Sequence, residues 1–166
     1  MTVVADGVKN IGVEQIVKLV LTVMRLYLGA WMIINGLNHW LPIFPQPLGS
    51  FPQSNALLVV LIESGLFSLV KAIEVVGGVF LVLGWFVPLA LVMLLPVSIV
   101  VFYNDAILKQ RWNRIFYMGT GCMYSNLILM AWYVRYYLPM MTFKTELGSL
   151  QDLKKLPSIF SSKDVG

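Results

Sequence analysis

The chain has one cysteine and one histidine, and only 12% of its 166 residues are charged. A single cysteine, Cys122, can form neither an internal disulfide nor a CxxC redox pair. A single histidine excludes bis-histidine haem ligation and a histidine-rich metal centre within one chain, so we expect no metal site. The low charge excludes an ordinary soluble domain, in which about a quarter of the residues are charged.

Most of the chain consists of hydrophobic residues. Hydrophobic residues make up 58% of the chain, and the mean hydropathy is +0.80. A soluble globule of this length could not bury so much apolar surface, which indicates an integral membrane protein in contact with the lipid bilayer. The net charge is +4, but the basic residues are scattered rather than clustered, so we expect no nucleic-acid partner.

Hydrophobic windows of about 20 residues predict four membrane-spanning helices. They cover about 16–38, 65–85, 87–103 and 115–137, within a membrane domain of residues 16–141. An N-terminal segment, 1–15, precedes this domain, and a C-terminal tail, 142–166, follows it. Residues 56–62 are too few to span and predict a short interfacial or re-entrant half-helix before the second span. The predicted fold is an all-α, four-helix membrane bundle.

The distribution of lysine and arginine predicts the orientation of the bundle. With the N-terminus inside, six basic residues near the span ends lie inside and three lie outside. The count predicts cytoplasmic termini, with the loops 42–52 and 105–114 on the outer side. The inner residues are Lys9, Lys18, Arg135, Lys144, Lys154 and Lys155, and the outer ones are Lys109, Arg111 and Arg114.

Small residues predict where helices approach closely. Arg25, Gly29, Gly36 and His39 share one face of the first span, at spacings that follow the helical period. Glycines on such a face let a neighbouring helix come near, as packing between membrane helices requires. We therefore predict helix packing at Gly29, Gly36, Gly77 and Gly78.

Polar side chains on three spans are predicted at similar depth. At about 1.5 Å per residue, Arg25 lies about 15 Å into the first span, Glu74 about 18 Å into the second and Asn126 about 16 Å into the fourth. Because a charge there must face protein or water, we predict a pair between Arg25 and Glu74. Lys71, one turn before Glu74, can share the charge of that carboxylate. This buried polar core is either a structural clip between helices or a functional site.

A second candidate site lies at the predicted outer end of the bundle. His39 and Trp40 follow the first span, and Glu63 precedes the second at a similar level. Imidazole exchanges protons near neutral pH, so these three residues form a candidate quinone and proton site. Aromatic walls for a quinone ring would come from Trp40, Phe67, Tyr103 and Tyr124.

Three stretches of the chain resemble the DoxX and DoxX-like family of small four-span membrane proteins. They are residues 36–40, 64–78 and 83–90, within a resemblance that covers roughly 25–105. The resemblance implies the cytoplasmic (inner) membrane of a prokaryote, and some members are subunits of quinone-linked sulfur-oxidising or quinol-oxidising complexes. His39 departs from the pattern, since family members often carry lysine there. The matching positions are Arg25, Gly29, Gly36, Asn38, Lys71, Glu74, Gly78, Gly84 and Pro88.

Together these features predict a small membrane subunit associated with a quinone- or quinol-linked oxidoreductase system. Its expected partners are larger membrane or redox-complex subunits. We expect no covalently bound cofactor, and a quinone is the candidate non-covalent ligand. The alternative is a non-enzymatic accessory or assembly subunit of a larger membrane complex, and whether the chain is itself an enzyme stays open. Only four spans and no internal repeat argue against a transporter.

Overall fold

A computed structural model describes residues 2–45, 51–109, 118–141 and 143, with side chains from residue 12 onward apart from that of Met118. All regular structure in these residues is helical, which confirms the all-α prediction. The C-terminal tail other than residue 143, the middle of the loop 42–52, and Arg111 and Arg114 lie outside the described residues.

The helices follow one another with short connections. In chain order they are α1 (Thr2–Leu37), α2 (Pro52–Glu63), α3 (Leu66–Leu83), α4 (Val87–Phe102), a π-helix (Tyr103–Leu108), α5 (Met118–Trp132), α6 (Val134–Tyr137) and a 3₁₀ turn (Leu138–Met140). Among the described residues, three stretches are long and apolar enough to cross a membrane: Gly12–Leu37, Leu66–Leu83 and Val87–Leu108. Residues 115–117 of the predicted fourth span lie outside the described residues, and α5 supplies 15 residues of it.

The bundle is held by two extensive helix pairings, α1 with α3 and α4 with α5, and α3 also packs on α4. Apolar side chains from α1, α3, α4 and α5 fill the space between these helices. The short helix α2 lies against α3 and the π-helix. The core residues are Leu28, Met32, Leu81, Val87, Ala90, Leu91, Leu94, Cys122 and Leu129.

A tight turn joins α3 to α4. Gly84 ends α3 in the left-handed region with φ of 74°, and the Trp85 N–H donates to the Phe80 carbonyl at 2.9 Å, as in a glycine-capped helix end. Phe86 also has a positive φ, 47°. Pro88 lies in the first turn of α4, where its missing N–H costs no helical hydrogen bond. The turn makes α3 and α4 adjacent and antiparallel.

The chain stays helical beyond the predicted end of the third span. The π-helix carries residues 103–108, and the Lys109 N–H donates to the Asn104 carbonyl at 3.1 Å. The prediction that 105–114 form a loop is therefore wrong as far as Leu108, whereas the side of the membrane on which these residues lie stays a prediction. Hydropathy ends the span at its first polar residues, whereas here those residues face protein and prolong the helix. Single π-helical turns of this kind are rare and often occur at functional sites.

Candidate functional site

A buried ion pair lies near the middle of α3. Glu74 is 2% exposed, and Lys71 donates from Nζ to both of its carboxylate oxygens at 3.0 and 2.8 Å. The ammonium also lies 5.2 Å from the centroid of the Phe67 ring, a distance typical of a cation–π contact. Both charges belong to one helix, so the pair joins no two helices.

A second buried ion pair follows α4. Lys109 donates to Asp105 Oδ1 at 2.9 Å, and the two side chains are only 8% and 12% exposed. Gly119 of α5 packs directly on the Asp105 carboxylate, leaving no room for a side chain. Sequence reasoning missed this pair because it assigned both residues to an outer loop. Their i, i+4 spacing was the available signal.

An amide and a hydroxyl join α5 to α4. Asn126, with no exposed surface, donates from Nδ2 to Ser98 Oγ at 3.3 Å. Its Oδ1 is buried and has no hydrogen-bond partner among the described residues. Ser98 is fully buried and lies about 16 Å along α4. The pair therefore places one unused acceptor deep inside the bundle.

These polar groups are all buried within the bundle. The two ion pairs and the free amide oxygen of Asn126 are screened from lipid, as buried charges in membranes must be. We name as the polar interior Lys71, Glu74, Ser98, Asp105, Lys109 and Asn126.

Arg25 does not belong to the polar interior. Its Nη1 lies 2.9 Å from where a Cβ on Gly84 would be, at the turn between α3 and α4. Gly84 comes ten residues after Glu74, about 15 Å further along the helix, so the predicted Arg25–Glu74 pair is wrong. The depth argument started the first span at residue 16, whereas α1 begins at Thr2 and runs past the turn.

A cleft opens beside Arg25, between α1 and the end of α5. It has a volume of about 250 Å³. The Arg25 Nε is buried there and has no hydrogen-bond partner among the described residues. We call it the Arg25 cleft, and its lining residues are Lys18, Leu21, Thr22, Arg25, Trp132 and Tyr133.

His39 lies at the other end of the bundle, beside the start of α3. Its Nε2 is 2.8 Å from Ser68 Oγ, and its ring centroid is 5.0 Å from that of Trp40 and 5.3 Å from that of Phe67. Phe67 also contacts Lys71. A single aromatic ring therefore separates the imidazole from the α3 ion pair.

The rest of the predicted quinone site is less closely assembled. Glu63 is exposed at the end of α2, and Tyr103 is 50% exposed on the π-helix. Tyr124 contacts the Phe102 ring at 6.1 Å between centroids. Among the described residues, no hydrogen bond or ring contact joins these three side chains to His39.

The glycines lie where helices meet. A Cβ on Gly29 would come within 2.9 Å of the Gly78 carbonyl oxygen, and one on Gly78 within 2.7 Å of that of Gly29. A Cβ on Gly36 would lie 2.9 Å from the Lys71 carbonyl oxygen. Gly77 faces a leucine of α4 instead. The α1–α3 seam thus depends on backbone contact, as small-residue packing in membranes does.

Two further polar contacts lie at the same end of the bundle as His39, and sequence reasoning missed both. Asn38 is 3% exposed and accepts a hydrogen bond from the Phe44 N–H at 2.8 Å, which fixes the chain after α1. Ser54 Oγ donates to Asn104 Oδ1 at 2.7 Å, which attaches α2 to the π-helix. Both side chains lie in or beside turns that hydropathy does not resolve.

A comparison with family models finds DoxX over residues 20–104, just over half of the chain. The chain belongs to the DoxX family. Neither a comparison with curated proteins nor one with solved structures finds a match. Family membership and the apolar helices make this DoxX protein a multi-pass membrane protein. The DoxX match contains Lys71, Glu74 and Ser98, whereas the rest of the polar interior lies beyond residue 104.

Proposed function

We propose that this DoxX protein is a small membrane subunit of a quinone- or quinol-linked oxidoreductase system, and that its polar interior handles protons for that system. The observation that carries the proposal is the pair of buried ion pairs, Lys71–Glu74 and Asp105–Lys109, each between residues only three or four apart in the chain. Helix packing alone requires neither pair, since neither links one helix to another. Ionisable groups buried in membrane proteins mark ion, proton or ligand sites by default.

Quinone chemistry supplies a use for such groups. Reducing a quinone to a quinol takes up two protons with two electrons, and the reverse reaction releases them. A carboxylate held beside an ammonium can accept and return a proton when a redox event changes the local charge. The electron carrier is proposed to belong to a partner subunit, with the DoxX protein supplying protonatable side chains.

His39 is the proposed point of proton exchange with water. The imidazole ring lies next to Phe67, which in turn contacts Lys71. The Phe67 ring contacts both the imidazole and the Lys71 ammonium, so we infer that it gates proton transfer between His39 and Glu74. This arrangement supports a gated path from the end of the bundle to Glu74.

Binding of a quinone analogue tests the proposal. The purified full chain in lipid nanodiscs is titrated with a short-chain ubiquinone or menaquinone analogue, alongside Glu74→Gln and His39→Ala. We expect wild type to bind and Glu74→Gln to bind about tenfold more weakly, as for the loss of one charged hydrogen-bond partner. Glu14→Gln is the control, because Glu14 is exposed and pairs with Lys18 at 2.7 Å. No binding by wild type, or equal binding by all variants, would exclude the quinone role.

The accessory or assembly role is the second candidate, and an exposed stretch of α1 over residues 13–23 favours it. Apolar side chains there are more than half exposed, over a stretch that extends past the α3–α4 turn. Such a face suits a partner helix. Its residues are Val13, Ile16, Leu19, Val20 and Val23, with exposures of 53–64%.

Crosslinking tests the accessory role. A photo-crosslinking residue at Leu19, introduced in native membranes, should capture one defined protein partner. The same residue at Val100, which is 46% exposed on α4, is the control position. Lipid adducts alone at both positions would count against a docking role for α1, whatever the quinone titration shows.

A further inference from the structure

The Arg25 cleft carries positive charge that its described lining does not neutralise. Lys18 and Arg25 contribute cations, and no acidic side chain belongs to the lining. Lys18 pairs with Glu14 at 2.7 Å on the exposed surface of α1. Exposed pairs of this kind are weak and can be shared with another anion. The cleft therefore favours an anionic occupant.

Arg25 has a buried donor without a partner among the described residues. A guanidinium offers five N–H donors, yet Nε is buried without a partner among the described residues. The group packs against Gly84, where a Cβ would lie 2.9 Å from Nη1. A buried donor without an acceptor is costly, so an acceptor from outside the chain would stabilise this side chain. Guanidinium matches the two oxygens of a phosphate by paired hydrogen bonds.

The surroundings place the cleft at the level of lipid headgroups. Trp85, in the α3–α4 turn, is 60% exposed, and Trp132, in the cleft, is 58% exposed. Tryptophan and tyrosine concentrate at the boundary between lipid and water. Leu21 and Tyr133 add apolar surface beside the cations. The cleft thus offers a lipid both cationic side chains that can bind its phosphate and apolar side chains that can contact its acyl chain.

We propose that the Arg25 cleft binds an anionic phospholipid, with the headgroup phosphate on Arg25 and Lys18 and an acyl chain against Leu21 and Trp132. A zwitterionic lipid also carries a phosphate, but its own cation cancels the attraction to the two basic side chains. The site is separate from the polar interior, which lies about 15 Å along α3 from the Gly84 turn.

Lipid titration tests the site. The full chain in detergent is titrated with phosphatidylglycerol or with phosphatidylcholine of the same acyl chains, and bound lipid is counted by native mass spectrometry. Phosphatidylglycerol should bind wild type more tightly, and Arg25→Gln should weaken it about tenfold. Arg25→Lys keeps the charge but loses the paired hydrogen bonds of the guanidinium. Its affinity for phosphatidylglycerol should therefore lie between those of wild type and Arg25→Gln.

Arg135→Gln is the matched control. It removes one positive charge at the same end of the bundle, where Arg135 is exposed and contacts Tyr136 rather than the cleft. We expect its phosphatidylglycerol affinity to match wild type. Soluble glycerol 1-phosphate is added as a competitor, to distinguish a lipid headgroup from a free phosphate.

Each result either supports or overturns the proposal that the Arg25 cleft binds an anionic phospholipid. Selective binding that falls in Arg25→Gln and persists in Arg135→Gln supports it. Equal binding of the two lipids by wild type, or an unchanged affinity in Arg25→Gln, overturns it. Full displacement by millimolar glycerol 1-phosphate would also overturn it, by assigning the cleft to a free phosphate. If Arg25→Gln does not fold, the comparison of the two lipids on wild type and Arg25→Lys still decides.

Discussion

At the scale of single residues, the DoxX protein neutralises buried charge locally. Glu74 has its counter-ion three residues earlier on the same helix, and Asp105 has its own four residues later. Removing one partner would leave the other charge buried without compensation, which is much more costly than removing both. The loss of stability in a single variant therefore does not measure how much the intact ion pair stabilises the bundle.

Glu74→Gln should destabilise the bundle by about 3–5 kcal/mol, because the Lys71 ammonium would stay buried without a counter-ion. The double variant Lys71→Met/Glu74→Gln should recover most of that loss, since no charge remains. Reversible unfolding in mixed micelles, followed by circular dichroism, measures both. The exposed Glu63→Gln is the control and should change stability by less than about 0.5 kcal/mol. A double variant as unstable as the single one would contradict the argument.

The sequence predicted part of the polar interior. The i, i+3 spacing of Lys71 and Glu74 is visible in the sequence, and so is the amide character of Asn126. The partner of Arg25 could not be predicted, because depth arithmetic depends on where each helix begins relative to its neighbours. The height of α1 relative to α3 is set by the packing between the two helices, so it cannot be predicted from the sequence of either helix alone.

At the scale of helices, the α1–α3 seam depends on the absence of side chains. Gly29 and Gly78 each approach the carbonyl of the other so closely that a methyl group would collide with backbone. Backbone cannot move aside as a flexible side chain can. Substitution at the seam should therefore separate the two helices rather than repack them.

Gly78→Ala should destabilise the bundle by about 1–3 kcal/mol, from the forced separation of α1 and α3. Gly121→Ala, on α5, is the matched control, because no atom lies within 4 Å of its added Cβ. That change should be neutral or stabilise by up to about 1 kcal/mol, through the higher helix propensity of alanine. The two variants are compared by thermal unfolding in one detergent. Equal stability of both would contradict backbone contact at the seam.

Hydropathy predicted the helical class and the positions of α3 and α4 from composition alone, since lipid-facing residues must be apolar along a whole helix. It ended the third span before the π-helix, because a helical residue that faces protein need not be apolar. Asp105 shows this directly, since it is charged, helical and buried. In the π-helix, packing against α5 outweighs the low local hydropathy.

At the scale of the whole molecule, the orientation in the membrane stays a prediction. In a Cys122→Ala background, Ser64→Cys should react with an impermeant maleimide from outside the cell, because both termini are predicted to be cytoplasmic. Arg135→Cys, at the opposite end of the bundle, should react only after the membrane is permeabilised. Both side chains are exposed. The reverse labelling pattern would invert the topology.

The turn at Gly84–Phe86 also bears on how the protein is made. Three residues are too few to leave α3 in the membrane while α4 waits in water, so the two helices must enter the bilayer as one helical hairpin. Helix α3 brings two charged residues, whereas α4 brings none. The unfavourable transfer of Lys71 and Glu74 is then shared with a strongly apolar neighbour during insertion. The turn thus couples the helix that carries the Lys71–Glu74 pair to one that carries no charge.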